Sequence, residues 1–193
     1  GDSHKWKFRS AEVGKINVSY EQSAFSIAGG VEFKSGDAVY GKGFRGDMQM
    51  KLLKGKLQVA AVAVFGKKDE YRYFLTDAFL ETEPANGVKV SFLNFYGVGG
   101  GLYYKMQQKK TALGGDFGKS LSGICYVPDK DVAIGLMART KFGFSGSDKL
   151  MDADVGLEIQ FNKDWGVNFI QLRGDATFVC KDLGAGLAQS IKS

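Results

Sequence analysis

Nucleophilic and general acid–base chemistry needs reactive side chains held in position, and this sequence is poor in them. Its one histidine, His4, lies at the very start of the chain. A Ser-His-Asp or Cys-His relay depends on a positioned imidazole, so that route is closed. The two cysteines, Cys125 and Cys180, stand apart in apolar stretches and with a single histidine cannot complete a tetrahedral zinc shell. They read either as two buried thiols or as one disulfide across neighbouring strands. Asp129/Asp131 and Asp152/Asp154 are spaced by two, which in a strand points both carboxylates to one face. The Gly and distal Glu of a calcium loop are missing, so solvated turn acids are the expectation. Asp77, Glu81, Asp154 and Glu158 are the in-strand acids a glycosidase-type reaction would draw on, although nothing in their spacing pairs them.

Other segments imitate known motifs. Gly114-Gly115-Asp116-Phe117-Gly118-Lys119-Ser120 looks like a phosphate loop, but only three residues separate Gly114 from Gly118 and no helix-forming sequence follows. Arg-Gly-Asp occurs at 45–47 and at 173–175, each time against a strand-like run, so both copies read as strand bulges and not as receptor-binding loop tips. Val98-Gly99-Gly100-Gly101 precedes a strand, which excludes a dinucleotide fingerprint; its glycines give bulky rings bare backbone to lie against. Those rings, Phe95, Tyr96, Tyr103 and Tyr104, form a candidate aromatic binding surface, with core packing as the alternative. The sequence assigns no catalytic, cofactor-binding or metal-binding residue and implies no cofactor.

Composition and periodicity define the scaffold that would position such residues. Hydrophobic residues make up 44% and charged residues 24% of 193 residues, which places the chain among globular proteins. With 27 Gly, 15 Phe and 8 Tyr against 2 Pro, it favours pleated strands joined by tight turns. Period-two alternation recurs throughout and helical spacing is nearly absent. The expectation is an all-β domain over residues 1–180, with about ten mostly antiparallel strands in a barrel or a strongly curved sheet or sandwich. Residues 181–193 form a tail or the start of a following element, with a short helix between Asp182 and Ile191 weakened by Gly184 and Gly186. Turns are expected at Ser35-Gly36-Asp37, around Arg45-Gly46, at Gly55, at Gly66 to Glu70 and at Glu83 to Gly87; one strand is expected over Val88 to Tyr96 and the next from Gly97 to Met106, with a long surface loop from Gln107 to Leu121. Leu57 to Phe65 is apolar on both faces and reads as a strand covered on two sides, whereas Val155 to Phe161 alternates cleanly.

The net charge of +5 comes from 26 scattered basic residues among 21 acids, so no nucleic-acid surface is expected. No apolar run is long enough for a membrane-spanning helix. Tyr71 to Ala78, Phe95 to Met106 and Leu157 to Asn162 resemble segments of very large, uncharacterised Bacteroidetes proteins associated with extracellular contractile injection systems. That resemblance implies a non-enzymatic, secreted or injected β-rich cargo, effector or toxin module of a longer protein, with the lumen of an injection tube as partner and membrane contact as a further expectation. An outer-membrane β-barrel is the first alternative, supported by Gly-aromatic strands and long loops. Against it stand the charges interspersed in the strands and the tail beyond the last of them. A soluble barrel binding an apolar ligand or glycan is the second alternative.

Overall fold

A computed structural model describes residues 7–12, 14–52, 56–109, 115–144, 151–178 and 189–192. The chain is all-β. In chain order the strands are β1 (Lys7–Glu12), β2 (Lys15–Glu21), β3 (Phe25–Asp37), β4 (Gly41–Leu52), β5 (Leu57–Lys68), β6 (Tyr71–Thr82), β7 (Val88–Val90), β8 (Leu93–Tyr104), β9 (Met106–Lys109), β10 (Cys125–Pro128), β11 (Val132–Phe144), β12 (Met151–Asn162), β13 (Val167–Phe178) and β14 (Gln189–Lys192). A 12-stranded antiparallel sheet runs β1-β2-β3-β4-β5-β6-β8-β11-β12-β13-β14, with β7 paired to β8, while β9 and β10 form a separate ladder. Every neighbour in the main sheet is thus the next long strand in the chain. Short hairpins achieve this: Asp37 Oδ1 accepts from the N–H groups of Val39 and Tyr40 at 2.8 and 2.9 Å, and Asn162 Oδ1 accepts from Asp164 and Gly166 at 3.0 and 2.9 Å. Such side-chain acceptors replace backbone partners in tight turns.

The buried core lies on one face of this sheet, beneath the segment that links β8 to β11. Val62, Val64, Tyr73, Leu75 and Tyr103 from the sheet pack with Met106, Phe117, Tyr126 and Val127 from the link and with Tyr40 from the β3–β4 turn. Arg45 donates from Nη1 to the carbonyls of Phe117 and Lys119 at 3.1 and 2.6 Å. Tyr40 donates to the Tyr126 carbonyl at 3.1 Å, and Tyr73 donates to the Tyr40 carbonyl at 2.7 Å. Burial raises the phenol pKa values of Tyr40, Tyr73, Tyr103 and Tyr126 well above the usual range, so these hydroxyls stay protonated as donors.

Several local expectations are corrected. The turn expected at Arg45-Gly46 is absent: β4 runs unbroken from Gly41 to Leu52 in register with β3 and β5, so the first Arg-Gly-Asp is mid-strand and carries no bulge. The second copy is equally regular in β13. The break expected at Gly97 is a bulge inside β8, between the pairs Gly97↔Lys141 and Phe95↔Phe142, because a Gly-rich strand can bend without reversing. The region read as a surface loop begins inside β9 and packs its Phe117 into the core. In the tail, Gln189–Lys192 is a strand paired with β13 and not helix; residues 182–188, like Cys180, Gly55 and Gly114, lie outside the described residues.

Close approach of rings to backbone fixes some glycines. A Cβ at Gly135 would fall inside the Tyr103 ring of the adjacent strand, whereas Gly46 has nothing within 4 Å of a Cβ position. Gly135→Ala should therefore lower unfolding free energy by about 1–3 kcal/mol through overpacking. Gly46→Ala should stay within about 0.5 kcal/mol of the parent in denaturant titrations of the folded chain.

Candidate functional site: an uncharged exposed face and a charged opposite face

Strand register sorts the side chains into two faces of opposite character. One row crosses the sheet as Phe33↔Phe44↔Phe65↔Phe74↔Tyr104↔Ile134↔Phe161↔Val167. Its rings contact in sequence, with centroids 6.4, 5.4, 6.0 and 5.7 Å apart from Phe33 through Tyr104. Two residues further along each strand, and three in β13 where a register shift intervenes, the same face presents Val31, Gly46, Ala63, Thr76, Leu102, Leu136, Ile159 and Ile170. Beyond these come Gly29, Met48, Ala61, Ala78, Gly100, Ala138, Leu157 and Leu172, and then Ile27, Met50, Val59, Leu80, Val98, Thr140, Val155 and Gly174. No charged side chain interrupts these rows. At the far end rings return: Tyr20 with Phe25 at 5.6 Å, Phe95 with Phe142 at 5.6 Å and Phe92 with Phe144 at 6.4 Å.

This face is bare. Phe33 is 55% exposed, Ile170 65% and Leu172 72%, and exposed large apolar residues extend from Ile16 of β2 to Leu172 of β13. Soluble monomers rarely expose contiguous apolar patches beyond a few hundred Å². Strand β5, expected to be covered on two sides, is covered on only one.

The opposite face carries most of the strand charges; Lys42, Lys67 and Arg72 stand at one margin of the exposed face. Arg139 holds Asp154 through two hydrogen bonds, Nε to Oδ1 at 2.7 Å and Nη2 to Oδ2. Lys141 Nζ meets both oxygens of Glu81 at 2.8 and 2.9 Å. Arg173 Nη2 donates to Glu158 Oε2 at 3.1 Å, while Tyr103 donates to Glu158 Oε1 at 2.8 Å and accepts from Gln160 Nε2 at 3.0 Å. Asp77 accepts the Leu121 N–H at 2.9 Å, which pins the β8–β11 link to β6. A cleft of about 180 Å³ opens between the link and β11, β12 and β13, lined by Asp77, Ser122, Arg139, Asp154, Glu158, Arg173 and Asp175.

The four in-strand acids thus share one face, but three of them are each tied to a cation: Glu81, Asp154 and Glu158. That arrangement leaves them as structural ion pairs and not as a free acid and base. Asp131 caps back on Asp129 through its N–H at 2.9 Å, so that pair is a turn. Among the described residues no group of three or more His, Cys, Asp or Glu side chains is placed to hold a metal ion. Cys125 is buried and free, 3.6 Å from the Tyr40 hydroxyl.

The four aromatic residues singled out from sequence do not make one surface. Tyr103 is fully buried on the charged face against Tyr126 at 4.7 Å, whereas Tyr104 belongs to the exposed row on the other. Beyond the bulge, Phe95 lies at the far end of the apolar face and Tyr96 is buried, its hydroxyl 3.5 Å from the Phe142 carbonyl. Sequence reasoning missed Arg139, Lys141, Gln160 and Arg173. Their signal was present as polar residues repeating every second position, as in Arg139/Lys141 and Gln171/Arg173/Asp175.

Burial raises the Asp77 carboxyl pKa above its usual value, against the lowering effects of the Leu121 N–H and Arg139. The folded state then binds the proton more tightly than the unfolded one, so stability falls as pH rises from the unfolded value through the raised one. Asp77→Asn, which can still accept from Leu121, should raise stability at neutral pH and flatten that acid-side dependence in pH-resolved unfolding. Tyr103→Phe should cost about 1–3 kcal/mol by leaving Glu158 and Gln160 without their shared partner. No family model, curated protein or solved structure matches the chain.

Proposed function

We propose that this chain is a transmembrane β-barrel of the outer-membrane type, with the uncharged face against lipid and the charged face turned to a lumen that the Lys105–Asp131 link fills. The observation that carries the reading is an exposed face that is uncharged across four successive rows and has rings at both ends of them. Hydrocarbon cannot satisfy open backbone groups, so the reading requires the sheet to close between its end strands β1 and β14, with the apolar side chains outward. Aromatic girdles at both margins of an outward apolar band are the expected signature of such barrels. Phe33 and Phe25 are eight residues apart on β3, about 27 Å along a strand and about 21 Å along the membrane normal at a tilt of about 40°.

The two sequence arguments against a barrel lose their force at this level. Apart from Lys42, Lys67 and Arg72 beyond the aromatic row, the interspersed charges alternate onto the proposed lumen side, and part of the tail continues the sheet as β14. A cargo module for an injection tube, or a soluble barrel around an apolar ligand, gives the bare apolar face no partner. Among the described residues no helix is long and apolar enough to cross a membrane, a fact that bears only on helices.

Adjacent residues on β4 provide the test. Met48 is near the middle of the apolar face and Gln49 points to the other side. Met48→Lys should cost about 2–4 kcal/mol in folding into phosphatidylcholine vesicles, and Gln49→Lys close to nothing. Equal effects of the two substitutions, or a monomeric folded chain in buffer without detergent, would overturn the reading.

A further inference from the structure

Just past the aromatic row, on the same face, lies a second row of a different kind. Lys42 of β4 is directly opposed to Lys67 of β5, which is directly opposed to Arg72 of β6. All three are exposed, and each is two residues beyond the ring of Phe44, Phe65 or Phe74 in its own strand. Directly opposed residues hold their Cβ atoms about 4.5–5.5 Å apart, and like charges so placed repel. Among the described residues the acid nearest Lys67 in an ion pair is Glu70 at 3.9 Å, whose side chain is 99% exposed and screened by solvent. Lys105 adds a fourth cation beside the row, its Nζ 5.4 Å from the Tyr104 ring centroid and 5.8 Å from that of Tyr71.

Three opposed cations become favourable when an anion lies over them, and their position specifies which anion. Aromatic side chains mark the headgroup level of a bilayer, and long basic side chains reach from there to the phosphates. Arginine adds a planar fork that matches two phosphate oxygens. We propose that Lys42, Lys67 and Arg72 bind the phosphates of anionic lipid headgroups in the leaflet that meets the Phe33-to-Val167 end of the sheet. This rests on the membrane reading above and adds a lipid preference and a polarity to it.

The test reconstitutes the full chain, with Trp6→Phe, Trp165→Phe and Phe65→Trp so that the sole tryptophan sits in the exposed aromatic row beside Lys67, in phosphatidylcholine vesicles containing brominated phosphatidylcholine or brominated phosphatidylglycerol, and reads its quenching as relative lipid association. The parent should favour phosphatidylglycerol, less so at high salt, and Lys42→Gln, Lys67→Gln and Arg72→Gln should each reduce the preference about fivefold. Lys163→Gln, an exposed turn residue at the same end, should leave it unchanged. Insertion with no anionic preference, or a preference that survives the triple substitution, overturns the lipid site and spares the membrane reading. Absence of quenching by either lipid overturns both. Saturable binding of inorganic phosphate by the chain in detergent, lost in the triple variant, would reassign the row to a soluble anion and overturn the lipid assignment.

Discussion

Each long hairpin of the meander keeps its two strands in register, and every other feature follows from that constraint. Side chains alternate at every residue, so a slip of one position in a ladder would turn Arg139, Lys141, Asp154 and Glu158 outward and bring their apolar neighbours in. Turns set the register at one end: the Asp37 and Asn162 side chains close two hairpins by accepting backbone N–H groups. Between the ends, Tyr103 over Gly135 and Tyr73 over Gly66 act as steric keys, since a slipped strand would bring a side chain into the space of each ring. The regular sheet is therefore the means by which Arg139 and Lys141 of β11, Asp154 and Glu158 of β12 and Arg173 of β13 are kept on one side with Asp77 and Glu81 of β6.

The charged face is organised rather than merely polar. Near the aromatic-row end it carries an apolar cluster built around Tyr73, Tyr103 and Tyr126, sealed by the β8–β11 link. Further along it carries the ion pairs Arg139–Asp154, Lys141–Glu81 and Arg173–Glu158. Breaking such a pair costs more than the pair contributes, because an uncompensated partly buried charge remains. The link is anchored to both zones, through Arg45 and Tyr40 at the apolar end and Asp77 at the charged end. In a barrel this segment fills the lumen and leaves the cleft lined by Asp154, Glu158, Arg173 and Asp175 as the remaining polar space.

The all-β class was legible because it is local information: alternation in Val155 to Phe161, Gly between aromatic residues, and turn residues at Asp37 and Asn162. What the strands face was not, because it is set by pairing between residues far apart in the chain. Phe33, Phe44, Phe65 and Phe74 look like four separate core residues until register places them side by side. Leu57 to Phe65 is apolar on both faces although only one packs into the core, because alternation alone does not say what each face meets. Gly46 and Gly97 misled in the opposite direction: glycine permits a turn, but the continuous ladders of β4 and β8 used it for small size and for a bulge. Proximity in sequence groups Tyr103 with Tyr104, although adjacent residues of a strand must point apart.

The central claim is that alternate residues of one strand meet hydrocarbon and water, and β13 allows it to be read residue by residue. With Cys125 and Cys180 replaced by serine, single spin labels placed from Ile170 to Asp175 in the vesicle-reconstituted chain would report accessibility to oxygen and to a water-soluble relaxer. The account predicts oxygen maxima at 170, 172 and 174 and water-relaxer maxima at 171, 173 and 175. A uniform profile, or water-relaxer maxima at 170, 172 and 174, would contradict it.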